Sequence, residues 1–486
     1  MGLFGGSKRK PLAMREESVK VVRPKPKPSS SNLKAPSAVH ATTARRSPAT
    51  SLGPNFRTSR PKSSSPYPNS SDERKIERKR KAVTTTPRDS PAFDDDSDSD
   101  DEDGDPFTFT KRVKPNDGRP IDLNRKLRHR KGFGDDIRRV DIIHAADMAS
   151  RAAGCPAIPG AKDNEVAIEV QYPSRCVRER YELVWQKDKI DAVKDILAIL
   201  EAVAENYVPL SEAKAFIDHN TSFRRQMERA ASEKYRDVPA FREALSHYNK
   251  KLTELVKNGT VAKCLDQAHH LPPSLVSLIL TQVYDRTVAP KVEMLTKYDA
   301  GSDNVYGELL HPFVTKILVD HCKMTSDQVF VDLGSGVGNV VLQAALEIGC
   351  RSYGCEMMNN ACDLAKAQHR EFRNRCQLWG VQPGEVRLYR DDFCKNDEIL
   401  EILKEADVIL VNNKAFTSML NDMLINMFLD LKKGCKIISL KSFVYDNGNS
   451  VNDVATSILD VEQFRYHENW VSWTGSDGEY YISTKK

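Results

Sequence analysis

A glycine-rich loop behind an acidic residue is the first place in this sequence where chemistry could occur. The run VFVDLGSGVGN, residues 329–339, is an apolar stretch that contains Asp332 near its end and then opens into a loop with glycines at 334, 336 and 338. Glycine adopts backbone conformations that other residues avoid and lets the main chain approach a ligand closely. A strand, a glycine loop and a helix in this order indicate a binding site for a nucleotide-like ligand.

The spacing of these glycines separates two classes of ligand. A dinucleotide fingerprint places its third glycine where this chain has Asn339, so the pattern is GxGxG and not GxGxxG. Together with an acid at the end of the preceding strand, this pattern is typical of S-adenosylmethionine-dependent methyltransferases.

Two further acidic residues follow the next two apolar runs. Glu356 lies twenty residues beyond Gly336, where a carboxylate can accept hydrogen bonds from both hydroxyls of a ribose and would repel a 2′-phosphate. Asp392 could accept a hydrogen bond from the exocyclic amine of adenine, and the ring of Phe393 could cover the base. The three acids therefore predict one site for a nucleotide-like cofactor.

A pair of asparagines follows the fourth apolar run of this half. Asn412 and Asn413 end VILVNN and precede Ala415 and Phe416. Enzymes that methylate nitrogen commonly place a polar residue and an aromatic at this point, where an amide can orient the attacking nitrogen. An asparagine that caps the next helix is the alternative interpretation.

The elements that would position these residues alternate between short apolar runs and helical stretches after about residue 300. This alternation predicts an α/β fold with a mostly parallel sheet and right-handed crossovers. The C-terminal run NWVSWTGSDGEYYIST predicts an antiparallel hairpin with Trp470, Trp473, Tyr480 and Tyr481 on its two faces. The expected fold is the seven-stranded sheet of class I methyltransferases, over residues 301–486.

The region before this sheet has a different pattern. From about residue 166 to 288, apolar residues recur at helical spacing, and prolines at 209, 272 and 273 mark helix boundaries. We therefore predict a mainly helical part over residues 160–300. It contains no group of residues that indicates catalysis.

The N-terminal part differs in composition from the rest of the 486-residue chain. Residues 1–110 are rich in proline, serine and basic residues and poor in aromatics, which predicts a disordered tail. Nine acidic residues lie between Asp94 and Asp105, with Ser97 and Ser99 among them. A solubilising tract is the simplest interpretation of this run, and a histone-contacting or autoinhibitory tract is the alternative.

A basic segment follows, over residues 111–140. Its density of lysine and arginine suits the neutralisation of phosphates, although a nuclear-import signal or a solvated run would have the same composition. The predicted nucleic-acid contacts are Lys111, Arg112, Lys114, Arg125, Lys126, Arg128, Arg130 and Lys131.

Several other classes of protein do not fit the sequence. The net charge is +5, no apolar stretch is long enough for a membrane span, and the ten cysteines form no CxxC pair. We therefore expect an intracellular protein with no membrane contact, with reduced thiols and without disulfides or a zinc site.

The motifs and their order resemble those of the disruptor-of-telomeric-silencing family, the non-SET methyltransferases of lysine 79 in histone H3. The resemblance rests on NVYGE at 304–308, the glycine loop, Glu356, the DF pair at 392–393, VNN-x-AF ending at Phe416, and VSWTG followed by a tyrosine pair. It covers residues 261–484, less than half of the chain.

The resemblance implies a role for each matching position. Asn412, Trp473, Tyr480 and Tyr306 would serve catalysis. The first three would shape a narrow channel for the target lysine, and Tyr306 would lie in a loop over the methionine end of the cofactor. The residues implied to bind S-adenosylmethionine are Tyr306, Gly307, Glu308, Leu309, Phe330, Val331, Asp332, Leu333, Gly334, Ser335, Gly336, Val337, Gly338, Asn339, Glu356, Asp392 and Phe393. Two positions depart from the family pattern, because Lys414 replaces an aromatic residue and Leu309 replaces a polar one.

The resemblance also implies the reaction and its partners. Methyl would pass directly from S-adenosylmethionine to the deprotonated amine of lysine 79 of histone H3 in nucleosomes, a reaction of chromatin regulation in the nucleus. The partners would be the nucleosome, including the histone H4 tail and ubiquitinated H2B, and DNA through the basic segment; the chain would be a monomer.

Two rival functions stay open from the sequence alone. A nucleic-acid amino-methyltransferase would also combine a basic arm with this sheet, but the usual Pro-Pro-aromatic is missing after the polar residue. A non-catalytic chromatin-binding scaffold would not need the intact glycines and the three acids.

Overall fold

The structure is a computed structural model, and it describes residues 122–134, 140–162, 164–296, 307–444 and 454–486. The predicted tail over 1–110, the acidic residues at 94–105 and the predicted contacts Lys111, Arg112 and Lys114 lie outside these ranges. Tyr306 also lies outside the described residues.

The part that precedes the large sheet combines a short hairpin with helices. Its elements are α1 (Ala145–Met148), β1 (Ala167–Val170), β2 (Glu179–Glu182), α2 (Ala192–Asn206), α3 (Leu210–Ile217), α4 (Phe223–Ala231), α5 (Val238–Lys257), α6 (Thr260–Gln267) and α7 (Pro273–Thr287). Pro209 and Pro272 stand directly before α3 and α7, as the sequence predicts. The antiparallel hairpin of β1 and β2 is a feature that helical periodicity missed.

The open edge of β1 is covered by side chains of α5. The Arg242 guanidinium donates to the carbonyl oxygen of Ala167 at 3.0 Å, and the Asn249 amide donates to that of Glu169 at 2.8 Å. The Asn249 Oδ1 also accepts from the backbone N–H of Gln171. A two-stranded hairpin is marginal by itself, so these bonds tie it to the helices.

The C-terminal half forms one seven-stranded sheet with flanking helices. Its strands are β3 (Val329–Leu333), β4 (Arg351–Glu356), β5 (Val386–Arg390), β6 (Val408–Val411), β7 (Lys436–Ser439), β8 (Leu459–Tyr466) and β9 (Gly478–Lys485). Its helices are α8 (His311–Thr315), α9 (Asn339–Gln343), α10 (Asn359–Leu378), α11 (Asp397–Glu405), α12 (Ser418–Met427) and α13 (Val454–Ile458), and π-helical turns extend α8 and α9.

The strand order is β5-β4-β3-β6-β7-β9-β8. The first five strands are parallel, and β9 is antiparallel to both β7 and β8. This order confirms the predicted class I methyltransferase fold. Every residue of the inner strand β3 is buried, as expected for a parallel strand covered by helices on both faces.

A buried cluster of charges joins the helical part to this sheet. Glu179 on β2 pairs with Arg286 on α7 and with Arg375 on α10, and all three side chains are fully buried. Burial opposes ionisation of Glu179, but the two guanidinium groups lower its pKa to about 2. The two halves of the described fold are therefore held together by paired charges as well as by apolar contacts.

Candidate functional site

The glycine loop lies at the carboxyl end of β3 and leads into α9. The backbone φ values of Gly334, Gly336 and Gly338 are +85°, +55° and +86°. Other residues rarely adopt this left-handed conformation, so the three glycines fix the path of the loop. The N–H groups of Gly334 and Ser335 donate to the carbonyl oxygen of Cys355 on β4 at 2.9 and 3.1 Å.

Glu356, at the end of β4, holds this loop from the neighbouring strand. Its Oε2 accepts from the Gly336 N–H at 2.9 Å, and its Oε1 accepts from the Met358 N–H at 2.8 Å. Each carboxylate oxygen has a second lone pair, so both can also accept from a ligand hydroxyl. The geometry is compatible with the predicted contact to a ribose.

Asp332 is the buried acid of the site. Burial, and secondarily the charge of Glu356, raises the pKa of Asp332 to about 8. Its carboxyl group therefore holds a proton near pH 7, until a cation in the cavity favours the carboxylate.

Asp392 and Phe393 follow β5, as predicted. Partial burial raises the pKa of Asp392, but hydrogen bonds from Lys395 and Cys394 outweigh this effect and leave the pKa below its usual value. Asp392 therefore remains a carboxylate. The ring of Phe393 faces that of Phe416, with centroids 6.4 Å apart and planes 26° apart.

One cavity of about 510 Å³ gathers most of the predicted ligand contacts. The predicted residues that line it are Gly307, Glu308, Leu309, Asp332, Gly334, Ser335, Gly336, Val337, Asn339, Glu356, Asp392, Phe393 and Asn412. The sequence analysis missed other lining residues, which include Met357, Met358, Cys394, Lys395, Leu420 and Met423. Met357 and Met358 follow the predicted Glu356, and Cys394 and Lys395 follow the predicted pair Asp392–Phe393, so adjacency in sequence was the available signal.

Four predicted contacts do not line this cavity. Phe330, Val331 and Leu333 are buried on β3 and pack within the apolar core. Gly338 faces the side chain of Leu388, which lies 3.3 Å from the position that a Cβ would take. A strand buried on both faces directs its apolar side chains into the core, so only Asp332 on β3 reaches the cavity.

The segment 307–310 closes one side of the cavity. The Glu308 N–H donates to Ser472 Oγ at 2.8 Å, the Ser472 N–H donates back to the Glu308 carbonyl at 2.9 Å, and the Leu310 N–H donates to the Trp470 carbonyl at 2.9 Å. This pairing explains why NWVSWTG is not the first strand of the C-terminal hairpin. That strand is β8, and the predicted hairpin is corrected accordingly.

The predicted lysine channel is assembled only in part. The ring of Trp473 covers Gly307, since a Cβ on that glycine would lie 2.6 Å from Trp473 Cε3. Trp473 does not itself line the cavity. Nor does Tyr480, which is 1% exposed and whose hydroxyl lies 3.0 Å from His321 Nε2. Tyr480 lies on the face of β9 that packs on α8, which is why the structure keeps it from the site.

The two adjacent asparagines have different positions. Asn412 lines the cavity, whereas Asn413 is fully buried. The Asn413 Oδ1 accepts from the N–H groups of Leu440 and Lys441 at 2.9 and 2.8 Å, which ties the end of β6 to the end of β7. Lys414 is exposed.

The described part of the basic segment lies against the folded part of the chain. Lys126, Arg128, Arg130 and Lys131 are exposed, and Arg128 pairs with Asp266 at 2.7 Å. Arg125 is buried, and its guanidinium donates to the Leu346 carbonyl at 2.9 Å. The prediction that Arg125 contacts nucleic acid is therefore wrong, because this side chain anchors the segment.

Three other observations concern disulfides, membrane spans and metal sites. All ten cysteines lie in the described ranges, where no disulfide is present, and nine of their side chains are buried. Within the described ranges, no helix has the length and apolar character to cross a membrane. Nor do the described residues contain a group of three or more His, Cys, Asp or Glu placed to hold a metal ion.

Comparisons with known proteins find relatives that share one description. Residues 284–485 match the family model described as histone methylation protein DOT1. The chain is 54% identical over 432 residues to the H3 lysine-79-specific histone-lysine N-methyltransferase of Gibberella zeae, covering 87% of each chain. It is 54% identical over 368 residues to the enzyme of the same description from Chaetomium globosum, covering 75% of this chain and 71% of the relative.

Among solved structures, an O-methyltransferase from Bacillus cereus is similar with a TM-score of 0.27 and 15% identity, over 43% of this chain and 90% of that chain. The fold class is assigned from the strand order of the sheet.

Proposed function

The chain belongs to the family of H3 lysine-79-specific histone-lysine N-methyltransferases, and from this premise we propose how its residues serve the reaction. The chain is an S-adenosylmethionine-dependent enzyme that methylates lysine 79 of histone H3. We propose that the cavity beside the glycine loop binds the methyl donor and that the exposed basic segment contacts nucleosomal DNA.

The observation that carries the donor site is the meeting of three carboxyl groups from adjacent strands in one cavity. In this proposal Glu356 accepts from the ribose hydroxyls, Asp392 accepts from the adenine amine, and Asp332 faces the positively charged methionine end. Phe393 covers the base, and Glu308 lies beside the donor's amino group. S-adenosylmethionine, when bound, supplies an electrophilic methyl group on a sulfonium centre.

The acceptor must arrive as a neutral amine. A free lysine has a pKa near 10.4, so its deprotonation at pH 7 costs about 4–5 kcal/mol. Among the described residues that line the cavity, none is a histidine or tyrosine that could act as a general base. We propose that Trp473 and Gly307 exclude water from the amine, which lowers its pKa, and that the lost proton passes to solvent.

The basic segment is proposed to bring the enzyme to the nucleosome. Lys126, Arg130 and Lys131 are exposed beside the anchored Arg125, so their charges are presented from a fixed surface. Contacts to phosphates would orient the enzyme without reading sequence. Contacts to the histone H4 tail and ubiquitinated H2B, a nuclear location and a monomeric state are further proposals, supported by family resemblance alone.

Transfer of labelled methyl from S-adenosylmethionine tests the proposal directly. The acceptors are nucleosomes, nucleosomes with arginine in place of lysine 79 of H3, free octamers, DNA and RNA. Label on H3 of unmodified nucleosomes, absent from the arginine nucleosomes, is the expected result. Label on DNA or RNA would instead support a nucleic-acid methyltransferase.

A matched pair of variants locates the donor site. Gly336→Arg replaces the glycine whose N–H is held by Glu356, and it should abolish transfer and donor binding. Gly154→Arg introduces the same residue at a positive φ in an exposed turn, where a Cβ would have no neighbouring atom within 4 Å. An equal loss of methyl transfer and donor binding in both variants would contradict the assignment of the cavity as the donor site.

A further inference from the structure

The outward face of α10 carries a row of positive charges that the reaction does not use. Lys366, Arg370 and Arg373 are exposed at helical spacing i, i+4 and i+7, so they lie along one face. In the described chain, one carboxylate, Asp141, pairs with Arg370. Asp363, an acid one turn before Lys366 on the same face, pairs with Arg390, so the charges of Lys366 and Arg373 are presented to solvent.

The basic segment extends this row at the end of α10. Gly132 sits so close to the helix that a Cβ would lie 2.9 Å from the Gln377 carbonyl oxygen, and the His129 N–H donates to the Gly380 carbonyl at 2.9 Å. We name as the basic track the exposed residues Lys126, Arg130, Lys131, Lys366, Arg370 and Arg373. Its helical part spans roughly 16 Å from Lys366 to Gln377, at 1.5 Å per residue.

This chain also contains a segment of opposite charge close to the track in sequence. Nine acidic residues lie between Asp94 and Asp105, and the described part of the chain begins at Asp122. The connection between Asp105 and Asp122 can extend up to about 55 Å, more than the length of the helical part of the track. A tethered ligand that reaches its site binds at an effective concentration on the order of millimolar.

We propose that the acidic tract, residues 94–105, docks on the basic track of its own chain and competes there with DNA. The competition with DNA rests on the DNA contact proposed above, whereas the docking itself does not. Nucleosomal DNA must then displace the tract before the enzyme engages. Phosphorylation of Ser97 and Ser99, at about −1.5 to −2 charges each, would strengthen the docking and weaken DNA binding.

The first test measures docking without DNA. The protein is the full chain with the nine acids replaced by their amides, Asp→Asn throughout and Glu102→Gln. The probe is a fluorescent peptide of residues 90–108, and the control peptide carries the same amide replacements. The acidic peptide should bind, weaken with salt and be displaced by duplex DNA, while the control peptide should not bind.

A matched pair of variants locates the docking. Lys366→Ser with Arg373→Ser should weaken binding of the acidic peptide by about fivefold, whereas Lys250→Ser with Lys257→Ser, two exposed lysines of α5, should leave it unchanged. Absence of peptide binding, or equal weakening by both pairs, would overturn the proposal.

The second test measures the competition in the intact chain. Compared with the wild type, the nine-amide variant should bind a DNA duplex about tenfold more tightly at about 100 mM salt, because it lacks the tethered competitor. The nine amide replacements should increase DNA affinity less when both proteins compared also carry Lys366→Ser and Arg373→Ser. An equally large increase in that background would mean that the acidic tract only repels DNA in general, and it would contradict competition on the basic track. If no variant binds DNA, the DNA contact fails, and the peptide result still decides the docking.

Discussion

The Asn412 amide donates a hydrogen bond from Nδ2 to the carbonyl oxygen of Gly307 at 3.1 Å. The sequence suggested that this amide orients the attacking nitrogen. One of its two N–H donors is engaged by the segment that closes the cavity, and its Oδ1 can still accept from an amine. Asn412 therefore acts at least in part as a positioning residue, because it ties the end of β6 to the loop that carries Glu308.

Replacement of Asn412 by alanine tests this positioning role. Loss of one hydrogen bond, about 0.5–1.5 kcal/mol, should weaken donor binding roughly two- to twelvefold by calorimetry, and the transfer rate should fall as well. The control is Asn206→Ala, since Asn206 makes a similar bond to the Ala202 carbonyl at 2.9 Å in α2. Unchanged donor affinity with a large loss of rate would instead assign Asn412 to the amine alone.

Gly307→Ala should disturb the wall of the proposed lysine channel. The new Cβ would lie 2.6 Å from Trp473 Cε3, so the indole must move. We expect about a tenfold loss of methyl transfer, with a smaller effect on donor affinity. Gly475→Ala, in the same loop as Trp473, is the control, because the nearest atom to a Cβ there, Asn469 Oδ1, would be 3.7 Å away. Equal activity of the two variants would show that the position of Trp473 does not matter.

The raised pKa of Asp332 predicts opposite pH effects on stability and on donor binding. Without ligand, the folded protein holds a proton at Asp332 that the unfolded chain loses near pH 4, so this group makes stability fall from about pH 4 to pH 8. A cationic donor favours the carboxylate, so its affinity should rise towards pH 8.

Calorimetric titration and thermal melts between pH 6 and 8.5 measure both effects. Asp332→Asn should flatten the two profiles, whereas Asp266→Asn, at an exposed acid on α6, should leave them unchanged. A wild-type donor affinity that is independent of pH would contradict a role for Asp332 beside the positive charge of the donor.

Four of the five parallel strands, β3 to β6, could be predicted because each ends at or leads to a glycine, an acid or an asparagine, and the fifth, β7, because it lies in the apolar run CKIISL. The carboxyl ends of neighbouring parallel strands meet at one edge, so Asp332, Glu356 and Asp392 could be grouped without a structure. That inference needed only the strand ends and the periodicity of the chain.

Other parts of the fold depend on tertiary partners that the sequence does not reveal. The aromatic run at 470–473 has the composition of a strand, yet its backbone pairs with Glu308 and Leu310. Asn412 and Asn413 are adjacent and identical in type, so the sequence does not distinguish them. In the fold, Asn413 is the one that accepts from the N–H groups of Leu440 and Lys441 and ties β6 to β7. Hairpin β1–β2 was too short to stand out from the helical pattern around it.

The buried charge cluster predicts a large effect on stability. Glu179→Gln removes the carboxylate shared by Arg286 and Arg375 and should lower the free energy of unfolding by about 3–5 kcal/mol in urea. Because the folded pKa of Glu179 is about 2, below the usual 4.5, its contribution is present above pH 4.5 and is lost as the pH falls towards 2. Glu182→Gln, nearby on β2, is the control and should change the free energy of unfolding far less.

In the basic segment, the buried Arg125 should affect stability, whereas the exposed Arg130 and Lys131 should affect DNA binding. Burial lowers the pKa of Arg125 to about 10, and this side chain anchors the segment to the Leu346 carbonyl. Arg125→Ala should therefore lower the melting temperature. Arg130→Ala with Lys131→Ala removes exposed charges and should leave the melting temperature unchanged.

DNA binding measured over a range of salt concentrations separates these two roles. The Arg130→Ala, Lys131→Ala pair should weaken DNA binding and reduce the slope of log affinity against log salt by about 2, one for each lost phosphate contact. Arg125→Ala, measured well below its melting temperature, should change that slope less, because the buried guanidinium reaches no phosphate. An unchanged slope in the pair would mean that the described basic segment does not contact DNA, and that the DNA contact must be sought elsewhere on the chain.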